Sequence, residues 1–352
     1  MKVITIIGAR PQFIKAAAVS RKLRKSMDEI IIHTGQHYDE NMSKIFFEEL
    51  QIPKPDYNLN IGSGNHGYMT GNMLIKIEEI LLNEKPDMVL VYGDTNSTIA
   101  GALSASKLLI PVAHVEAGLR SFNMAMPEEQ NRILTDHISK LLFAPTQTAV
   151  NNLYNEGIKK GVVNSGDVMY DAVLFFKNLA SEKSRILDRL GLNYGEYILS
   201  TIHRAENTNS KERLKNIIEA LSESEENIVL PLHPRTKKFL EEYNFKFTEN
   251  IKIIEPVGYL DMIMLEGSCS KIVTDSGGVQ KEAFFMAKPC ITLRDETEWV
   301  ETVDNGWNII TGCDKEKIIK AIKYFKPERE RENHFGDGNA ADKIVEVLKG
   351  GF

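Results

Sequence analysis

Short runs of apolar and β-branched residues alternate with longer helical segments along this chain, and this alternation constrains its fold more than any other feature. In the first half the runs cover residues 2–7, 30–33, 88–92, 112–115, 141–144 and 161–164. Helical patterns lie between them, for example over residues 68–83 and 97–108. Apolar strands that alternate with helices predict a parallel sheet covered by helices on both faces.

A second series of runs begins beyond residue 168. A helical pattern over residues 170–190 precedes runs at residues 197–202, 228–232, 251–254, 271–274, 290–293 and 308–310. The chain has 352 residues, which is the length of about two domains. We therefore predict an α/β protein with two Rossmann-like domains, residues 1–166 and 167–335. A last helical stretch, residues 340–348, can pack on either domain.

Charge and composition exclude several classes of function. Lys and Arg total 43 and Asp and Glu total 49, which gives a net charge of −6. Proteins that coat nucleic acids or bind membrane surfaces need a basic excess, so neither partner is expected. No stretch reaches the roughly 18 apolar residues of a membrane span, and the first apolar run is too short for a signal peptide.

Cysteine and histidine spacing predicts no metal site. Cys269, Cys290 and Cys313 are widely spaced and form neither a zinc pattern nor a disulfide framework. A cytoplasmic location is therefore expected. His33 and His37 are four residues apart, but Gly35 between them disfavours a continuous helix.

Ligands of parallel sheets bind at the carboxyl ends of the strands, and polar residues gather there in both halves. Gly8-Ala9-Arg10-Pro11, with Lys15, follows the first run. This segment lacks the spacing of a dinucleotide fingerprint or of an NTPase P-loop. Two cations near a helix start suit an anionic ligand, and they equally suit a solvated helix start.

The segment Asp275-Ser276-Gly277-Gly278 follows another run and precedes a helical stretch over residues 279–286. Two glycines let a ligand approach the backbone, and the N–H groups of a helix start can hold a phosphate. Glu282 on that helix could accept hydrogen bonds from ribose hydroxyls. The alternative is an ordinary turn between a strand and a helix.

Two carboxylates fall at neighbouring strand ends and are candidates for a general acid and a general base. Asp94 follows one run, and Glu116 follows the next, two residues after His114, so that the side chains of His114 and Glu116 share a face. A structural reading, with Asp94 as a helix cap and Glu116 in an ion pair, is equally open. Glu128 and Arg132 are four residues apart on a helix and predict a surface ion pair.

Two histidines follow neighbouring strands in the second half. His203-Arg204-Ala205-Glu206-Asn207 ends one run and His233-Pro234-Arg235 ends the next. A loop this rich in polar groups after a buried strand indicates more than a connection. Single histidines are more often structural, but two at adjacent strand ends favour a functional role.

Eight motifs occur in a fixed order over nearly the whole chain. They are Gly8-x-Arg10-Pro11-x-x-x-Lys15, Thr34-Gly-Gln36-His37, Gly93-Asp94-Thr95, His114-Val-Glu116-Ala-Gly118-Leu-Arg120, Pro127-Glu128-Glu-x-Asn131-Arg132, His203-Arg-x-Glu206-Asn207, His233-Pro-Arg235 and Asp275-Ser276-Gly277-Gly278-x-Gln280. Together they resemble the non-hydrolysing UDP-N-acetylglucosamine 2-epimerase family.

The resemblance implies a GT-B-like pair of Rossmann-like domains, with a UDP-sugar in the cleft between them, and a homodimer. It also implies that the C-terminal helix, within residues 336–352, packs back on the first domain. The implied activity is that of an isomerase of polysaccharide biosynthesis that needs no cofactor and epimerises UDP-N-acetylglucosamine reversibly at C2. UDP is eliminated, a 2-acetamidoglucal forms, and UDP re-adds while a proton reaches the opposite face of C2, giving UDP-N-acetylmannosamine.

The resemblance further implies residue roles. Asp94, Glu116 and Glu128 share the proton transfers, without a distinction between base and acid. Arg10 and the 276–278 segment stabilise the departing diphosphate, which His203 holds or protonates. The other implied substrate-binding residues are Lys15, Arg132, Arg204, Asn207 and His233, with Val257 near the uracil and Glu282 at the ribose.

Three departures from the commoner bacterial pattern concern the substrate. Lys281 stands where a second Glu is usual, and Trp299 stands where an Arg that contacts the nucleotide-sugar is usual. The segment Gln36-His37-Tyr38-Asp39 differs where some members bind a second, activating UDP-N-acetylglucosamine. Trp299 leaves room for a related substrate such as a UDP-2,3-diacetamido-glucuronate.

Three other functions stay open beside these epimerases. A glycosyltransferase of the same architecture would release UDP only with an acceptor. A hydrolytic epimerase would end in UDP and free N-acetylmannosamine. A regulator would bind the nucleotide-sugar without turnover.

Overall fold

The computed structural model describes residues 1–35, 51–62 and 64–351, and of Arg10 it describes the backbone alone. The motif residues Gln36 and His37, with the 38–39 pair that follows them, lie outside the described residues. No helix in the described part of the chain is both long and apolar enough to cross a membrane.

The first sheet has seven strands in the order β3-β2-β1-β4-β5-β6-β7, and every pair is parallel. The strands are β1 Lys2–Ile7, β2 Asp28–His33, β3 Tyr57–Asn58, β4 Met88–Tyr92, β5 Val112–Val115, β6 Leu141–Ala144 and β7 Val162–Asn164. The helices of this half are α1 Arg10–Leu23, α2 His66–Glu84, α3 Asn96–Lys107, α4 Pro127–Ile138, α5 Gln147–Asn155 and α6 Val168–Lys183.

The second sheet has six parallel strands in the order β10-β9-β8-β11-β12-β13. The strands are β8 Ile198–Thr201, β9 Ile228–Pro231, β10 Ile251–Ile254, β11 Lys271–Thr274, β12 Cys290–Thr292 and β13 Asn308–Ile310. The helices are α7 Ile186–Leu190, α8 Ala205–Thr208, α9 Lys211–Glu223, α10 Pro234–Tyr243, α11 Tyr259–Ser268, α12 Gly277–Phe285, α13 Val300–Asp304, α14 Lys315–Tyr324 and, at the C-terminus, α15 Ala340–Lys349. The predicted α/β class with two Rossmann-like sheets is confirmed.

Close packing of helices on the first sheet follows from small side chains. All five residues of β4 are buried, as expected for a strand covered on both faces. On α3, a Cβ added at Gly101 would come within 2.6 Å of Cδ1 of Ile6 on β1. A larger residue at this position would push α3 away from the sheet.

The chain divides into two compact units, Met1–Leu174 with Asn333–Phe352, and Phe175–Glu332. The division therefore falls inside α6 rather than at residue 166. The helical pattern predicted over residues 170–190 is divided into α6 and α7. Between α6 and α7, the hydroxyl of Ser184 donates a hydrogen bond to Oδ1 of Asp261 at 2.6 Å.

The C-terminal helix α15 belongs to the first unit, where it packs on α1. The carboxylate of Asp171 on α6 accepts hydrogen bonds from the backbone N–H groups of Ala340 and Ala341, at 3.1 and 2.8 Å. A carboxylate at a helix N-terminus satisfies N–H groups that lack a partner within the helix. Nζ of Lys22 on α1 donates to Oδ2 of Asp342 at 2.7 Å.

Strand order changes direction once in each sheet, and this places the ligand edge. In the first sheet the change lies between β1 and β4, and in the second between β8 and β11. Ligands of open parallel sheets bind at the carboxyl ends of the strands at such a point. The residues that follow these four strands are therefore the ones to examine.

Candidate functional site

At the first switch point, Lys15 and Glu116 form a buried ion pair above Gly93. Nζ of Lys15 contacts Oε2 of Glu116, and both side chains are less than a tenth exposed. A Cβ added at Gly93 would lie 3.2 Å from Oε2 of Glu116 and 3.3 Å from Nζ of Lys15. Gly93 has φ +62°, so a side chain there would be both strained and crowded. Glycine lets the pair approach the backbone beside Asp94.

Glu116 has a backbone conformation that is uncommon for a side chain of its size. Its φ is +72°, and it lies just beyond β5. Strand alternation ends with β5 and therefore does not by itself orient this side chain, so a face shared with His114 stays a prediction. Such strain concentrates at functional sites.

His114 is a supporting residue beneath this cluster. Its ring nitrogens lie 2.7 Å from Oδ1 of Asp136 and 2.7 Å from the carbonyl of Gly93, and both side chains are fully buried. Burial raises the pKa of Asp136, but hydrogen bonds and charges from His114 and Arg120 outweigh it and hold that pKa below its usual value. The His114–Asp136 pair thus fixes the turn that carries Asp94.

Arg132 joins Asp94 to a buried carboxylate that sequence reasoning missed. Its Nη2 donates to Oδ2 of Asp94 at 2.5 Å, and its Nη1 donates to Oε2 of Glu129 at 2.9 Å. The predicted pairing of Arg132 with Glu128 therefore gives way to this pair at i, i+3. Glu128 is half-buried in the first turn of α4.

Gln12 is another residue missed from the sequence, and it ties two strand ends together. Its Oε1 accepts from the N–H groups of Gly8 and Ala9, at 2.8 and 3.0 Å. Its Nε2 donates to the carbonyl of Tyr92 at 2.8 Å. The signal was available, because a Gln three residues after a helix start can bond back to the backbone.

In the second unit, Asp275 organises the loop of the first histidine. Its carboxylate is fully buried and accepts from the backbone N–H groups of His203 and Arg204, each at 3.0 Å. Nδ1 of His203 lies 3.7 Å from Oδ1 of Asp275. The centroids of the His203 and His233 rings are 5.6 Å apart. The prediction that these two histidines lie at adjacent strand ends is confirmed.

Asn207 is buried, and both atoms of its side-chain amide form hydrogen bonds within the protein. Nδ2 donates to Oδ2 of Asp275 at 3.1 Å and to the carbonyl of Leu293 at 2.9 Å, and Oδ1 accepts from Nε of Arg213 at 3.1 Å. These contacts favour a supporting place for Asn207 in the loop, with Arg204 half-buried at its surface. Its predicted role in binding substrate stays a prediction.

Arg213 also connects two carboxyl groups beside this loop. Its guanidinium lies 3.0 Å from Oε1 of Glu206 and 2.9 Å from Oδ2 of Asp295. Burial raises the pKa of Glu206, although the charge of Arg213 opposes it. The hydrogen bond from Arg213 lowers the pKa of Asp295. The sequence did not single out this pair.

The start of α12 has the geometry of an anion site. Oγ of Ser276 caps the helix by accepting from the N–H of Val279 at 3.5 Å. A Cβ at Gly277 would come within 2.6 Å of Oε1 of Glu298, whereas one at Gly278 would meet nothing closer than 3.9 Å. The two glycines therefore serve different purposes. Gly277 leaves space for the side chain of Glu298, and Gly278 keeps the N-terminus of the helix accessible.

The two positions that depart from the family pattern contact each other. Nζ of Lys281 lies 4.0 Å from the centroid of the Trp299 ring, and both side chains are buried. On the same helix, Glu282 is buried and accepts from the hydroxyl of Tyr259 at 2.9 Å. Val257 is half-buried against the apolar cluster of this unit.

Among the described residues, no group of three His, Cys, Asp or Glu side chains is arranged to hold a metal ion. What the two switch points offer is a set of paired carboxylates in the first unit and a helix start beside two histidines in the second. These are means for proton transfer and for anion binding.

The amino-acid sequence of this chain matches the model of a known protein family over most of its length. The model described as UDP-N-acetylglucosamine 2-epimerase matches residues 21–349. The chain belongs to the UDP-N-acetylglucosamine 2-epimerase family. It is therefore assigned to a family of isomerases.

Relatives of this 2-epimerase family carry more than one substrate in their names. A "UDP-N-acetylglucosamine 2-epimerase homolog" of Methanococcus maripaludis is 62% identical, with 99% of each chain covered. A "UDP-2,3-diacetamido-2,3-dideoxy-D-glucuronate 2-epimerase" of Pseudomonas aeruginosa is 53% identical, again with 99% of each covered. The crystal structure of the Methanocaldococcus jannaschii UDP-GlcNAc 2-epimerase with UDP-GlcNAc and UDP is 53% identical, covers 100% of both chains and has a TM-score of 0.93.

Proposed function

We propose that this 2-epimerase family member interconverts UDP-N-acetylglucosamine and UDP-N-acetylmannosamine. The observation that carries the proposal is the pair of ion pairs at the first switch point, Lys15 with Glu116 and Arg132 with Asp94. They supply carboxylates where a ligand of a parallel sheet binds. The names of the Methanococcus and Methanocaldococcus relatives support the same reaction.

The first step removes the C2 proton and expels UDP. A carboxylate takes the proton, the C–H electron pair forms the C1=C2 double bond of a 2-acetamidoglucal, and the C1–O electron pair leaves with UDP. Because this proton is weakly acidic, the base must be held in place beside it. Arg132 fixes Asp94 and Lys15 fixes Glu116, while Glu128 completes the set of candidates.

The second unit would receive the leaving group. The negatively charged diphosphate would bind at the start of α12. There the backbone N–H groups near Ser276, Gly277 and Gly278 and the helix dipole favour an anion. His203 and Arg204 lie on the loop held by Asp275. A cation or proton donor on the departing phosphate lowers the barrier to C–O cleavage.

Re-addition reverses both steps with the opposite stereochemistry at C2. UDP adds to C1 of the glucal, and a second carboxyl group, which is protonated at this stage, delivers its proton to the other face of C2 and is left as a carboxylate. Two carboxylates fixed by separate cations can serve two faces of one carbon. The reaction is redox-neutral, so these steps call for no electron acceptor.

A second substrate has specific support. The Pseudomonas relative named for UDP-2,3-diacetamido-glucuronate is as similar, at 53% identity, as the Methanocaldococcus 2-epimerase. Trp299 and Lys281 also replace the residues usual in the bacterial pattern. C2 epimerisation of that uronate is therefore the second candidate function. A cytoplasmic location stays a prediction from the sequence.

We further propose a homodimer that forms through α2. Tyr68, Ile75 and Leu82 are 65%, 60% and 55% exposed. Their spacing of seven residues places them in one stripe along the helix. Met73 and Ile77 are buried on the opposite face, so α2 is apolar on two sides.

A second copy of the chain fits this stripe because the spacing is self-complementary. When two α2 helices cross antiparallel on a two-fold axis at Ile75, Tyr68 meets Leu82 of the partner subunit. In this register the carboxylate of Glu79 faces Gly71 of the partner subunit rather than a like charge. A Cβ at Gly71 would meet nothing within 4 Å, which leaves space for a close approach.

Product analysis tests the proposed function. The purified chain is incubated with UDP-N-acetylglucosamine, and separately with the diacetamido-uronate, without acceptor or cofactor, and the products are separated by chromatography. A second UDP-sugar with the same mass supports epimerisation and identifies the substrate. Free sugar with UDP would favour the hydrolytic enzyme, and no product with either compound would contradict the proposal.

A further inference from the structure

Phe122 combines two features that are each unfavourable for an aromatic residue. Its side chain is 78% exposed, and its backbone has φ +59°. A bulky side chain in the left-handed region costs about 1–2 kcal/mol, and an exposed aromatic ring forgoes the free energy of burial. A residue that keeps both features has a reason to be held there.

A buried carboxylate holds this backbone in place. Glu129 is fully buried, and its Oε1 accepts from the N–H of Phe122 at 2.9 Å. Its Oε2 accepts from both the N–H and the hydroxyl of Ser121, each at 3.0 Å. Three hydrogen bonds to one buried carboxylate fix the two residues more firmly than an ordinary surface turn.

The same carboxylate connects Phe122 to Asp94, one of the three candidates for proton transfer. Glu129 pairs with Arg132 at 2.9 Å, and Arg132 in turn holds Asp94. One guanidinium and one carboxylate thus separate the two residues. Phe122 also follows β5, on the segment that leads from the carboxyl edge of the first sheet to α4. Topology therefore places it at the ligand edge.

Leu109 has the same left-handed backbone conformation as Phe122, but there the end of a helix explains it. Its φ is also +59° and its side chain is 91% exposed. It follows α3, where the N–H of Ile110 donates to the carbonyl of Ala105 at 2.9 Å. A left-handed residue that closes a helix end is common. Phe122 precedes its helix and ends none, so this explanation does not apply to it.

We propose that Phe122 contacts the sugar of the UDP-sugar, with its ring against the N-acetyl methyl group and the apolar C–H face of the pyranose. This inference rests on the proposed function and extends it to the choice of sugar. An aromatic ring offers a large apolar surface with few rotatable bonds, which suits it to such a contact. The network through Glu129 and Arg132 then holds the sugar contact and Asp94 in one frame.

Three variants test this contact. Phe122→Gly removes the ring and relieves the backbone strain, and Phe122→Tyr keeps the ring. Leu109→Gly is the control, because it relieves the same backbone strain just after α3. Each variant is assayed for KM and kcat with UDP-N-acetylglucosamine, for inhibition by UDP and by UDP-glucose, and for Tm. UDP lacks the sugar, and UDP-glucose lacks the N-acetyl group.

We expect Phe122→Gly to raise the KM for UDP-N-acetylglucosamine about tenfold or more, with an unchanged inhibition constant for UDP and a smaller loss for UDP-glucose. Its Tm should rise by about 2–4 °C, as should that of Leu109→Gly, because both relieve strain. Phe122→Tyr should stay within about threefold of the wild-type KM, and Leu109→Gly should keep the wild-type KM.

Two results would overturn the inference. One is an unchanged KM in Phe122→Gly, and the other is an equal loss for UDP-N-acetylglucosamine and UDP, which would place the ring away from the sugar. A wild-type protein that turns over neither UDP-N-acetylglucosamine nor the diacetamido-uronate would instead count against the proposed function. The two failures are therefore distinguishable in one set of assays.

Discussion

The ammonium group of Lys281 lies 4.0 Å from the centre of the Trp299 ring, and both side chains are buried. Removing the ring should leave a cavity and a buried cation without its aromatic face. We expect Trp299→Ala to lower the free energy of unfolding by about 3–5 kcal/mol. Trp299→Phe keeps an aromatic face and should lose less than half as much. Urea denaturation measures both, and equal losses would argue against a cation–π contact.

Asp94 should be needed for turnover and not for nucleotide binding. Asp94→Asn removes a group that can take a proton, so kcat should fall by about 10²–10⁴-fold. Affinity for UDP, measured by titration calorimetry, should change little because UDP lacks the reacting carbon. A large loss of UDP affinity would make Asp94 a binding residue instead.

Substitution of the neighbouring Glu128 and Glu129 on α4 should affect different properties, activity for Glu128 and stability for Glu129. Glu129→Gln leaves Arg132 buried beside a neutral amide and should cost about 3–5 kcal/mol of stability, since one partner of a buried pair is lost. Glu128→Gln changes a half-buried carboxyl group and should lower kcat with little change in Tm. Thermal unfolding and initial rates on the two variants test this difference. A stable, inactive Glu129→Gln with a fully active Glu128→Gln would reverse the assignment.

Asp136 should make stability depend on acid pH. Its pKa in the folded protein lies below the ordinary value of 3.8, so its carboxylate stabilises the fold at pH values above 3.8. That contribution is lost as the pH falls through the lower folded pKa. Asp136→Asn should therefore cost about 3–5 kcal/mol near neutral pH and less in strong acid. Denaturation curves at both pH values check this, and a constant difference would contradict it.

The α2 stripe should control assembly. Ile75→Glu places two carboxylates together on the proposed axis and should convert the dimer to a monomer at micromolar concentration. Leu134→Glu on α4, whose side chain is also 55% exposed, is a control that should stay dimeric. Light scattering after gel filtration gives both masses. A dimeric Ile75→Glu protein would place the interface elsewhere.

Sequence reasoning worked best where burial alone decides the structure. The runs 88–92 and 141–144 are strands with the bounds that were predicted, because a strand buried on both faces is apolar throughout. The break between α6 and α7 was missed, since it depends on a hydrogen bond from Ser184 to the distant Asp261.

Site partners were harder to predict than site residues. Arg132 had two glutamates within reach on its helix, and the choice of Glu129 follows from the backbone of residues 121–122, which donates to that carboxylate. Lys15 and Glu116 are 101 positions apart in sequence. Their contact depends on the order of β1, β4 and β5 in the sheet, which no local pattern encodes.

Proton NMR in heavy water tests the central claim most directly. UDP-N-acetylglucosamine is incubated with the purified protein, with no cofactor added, and the C2 proton and the anomeric signals are followed. The proposed elimination and re-addition predicts loss of the C2 proton signal as deuterium enters and a growing manno anomeric signal. An unchanged C2 proton, with this substrate and with the diacetamido-uronate, would contradict epimerisation at C2.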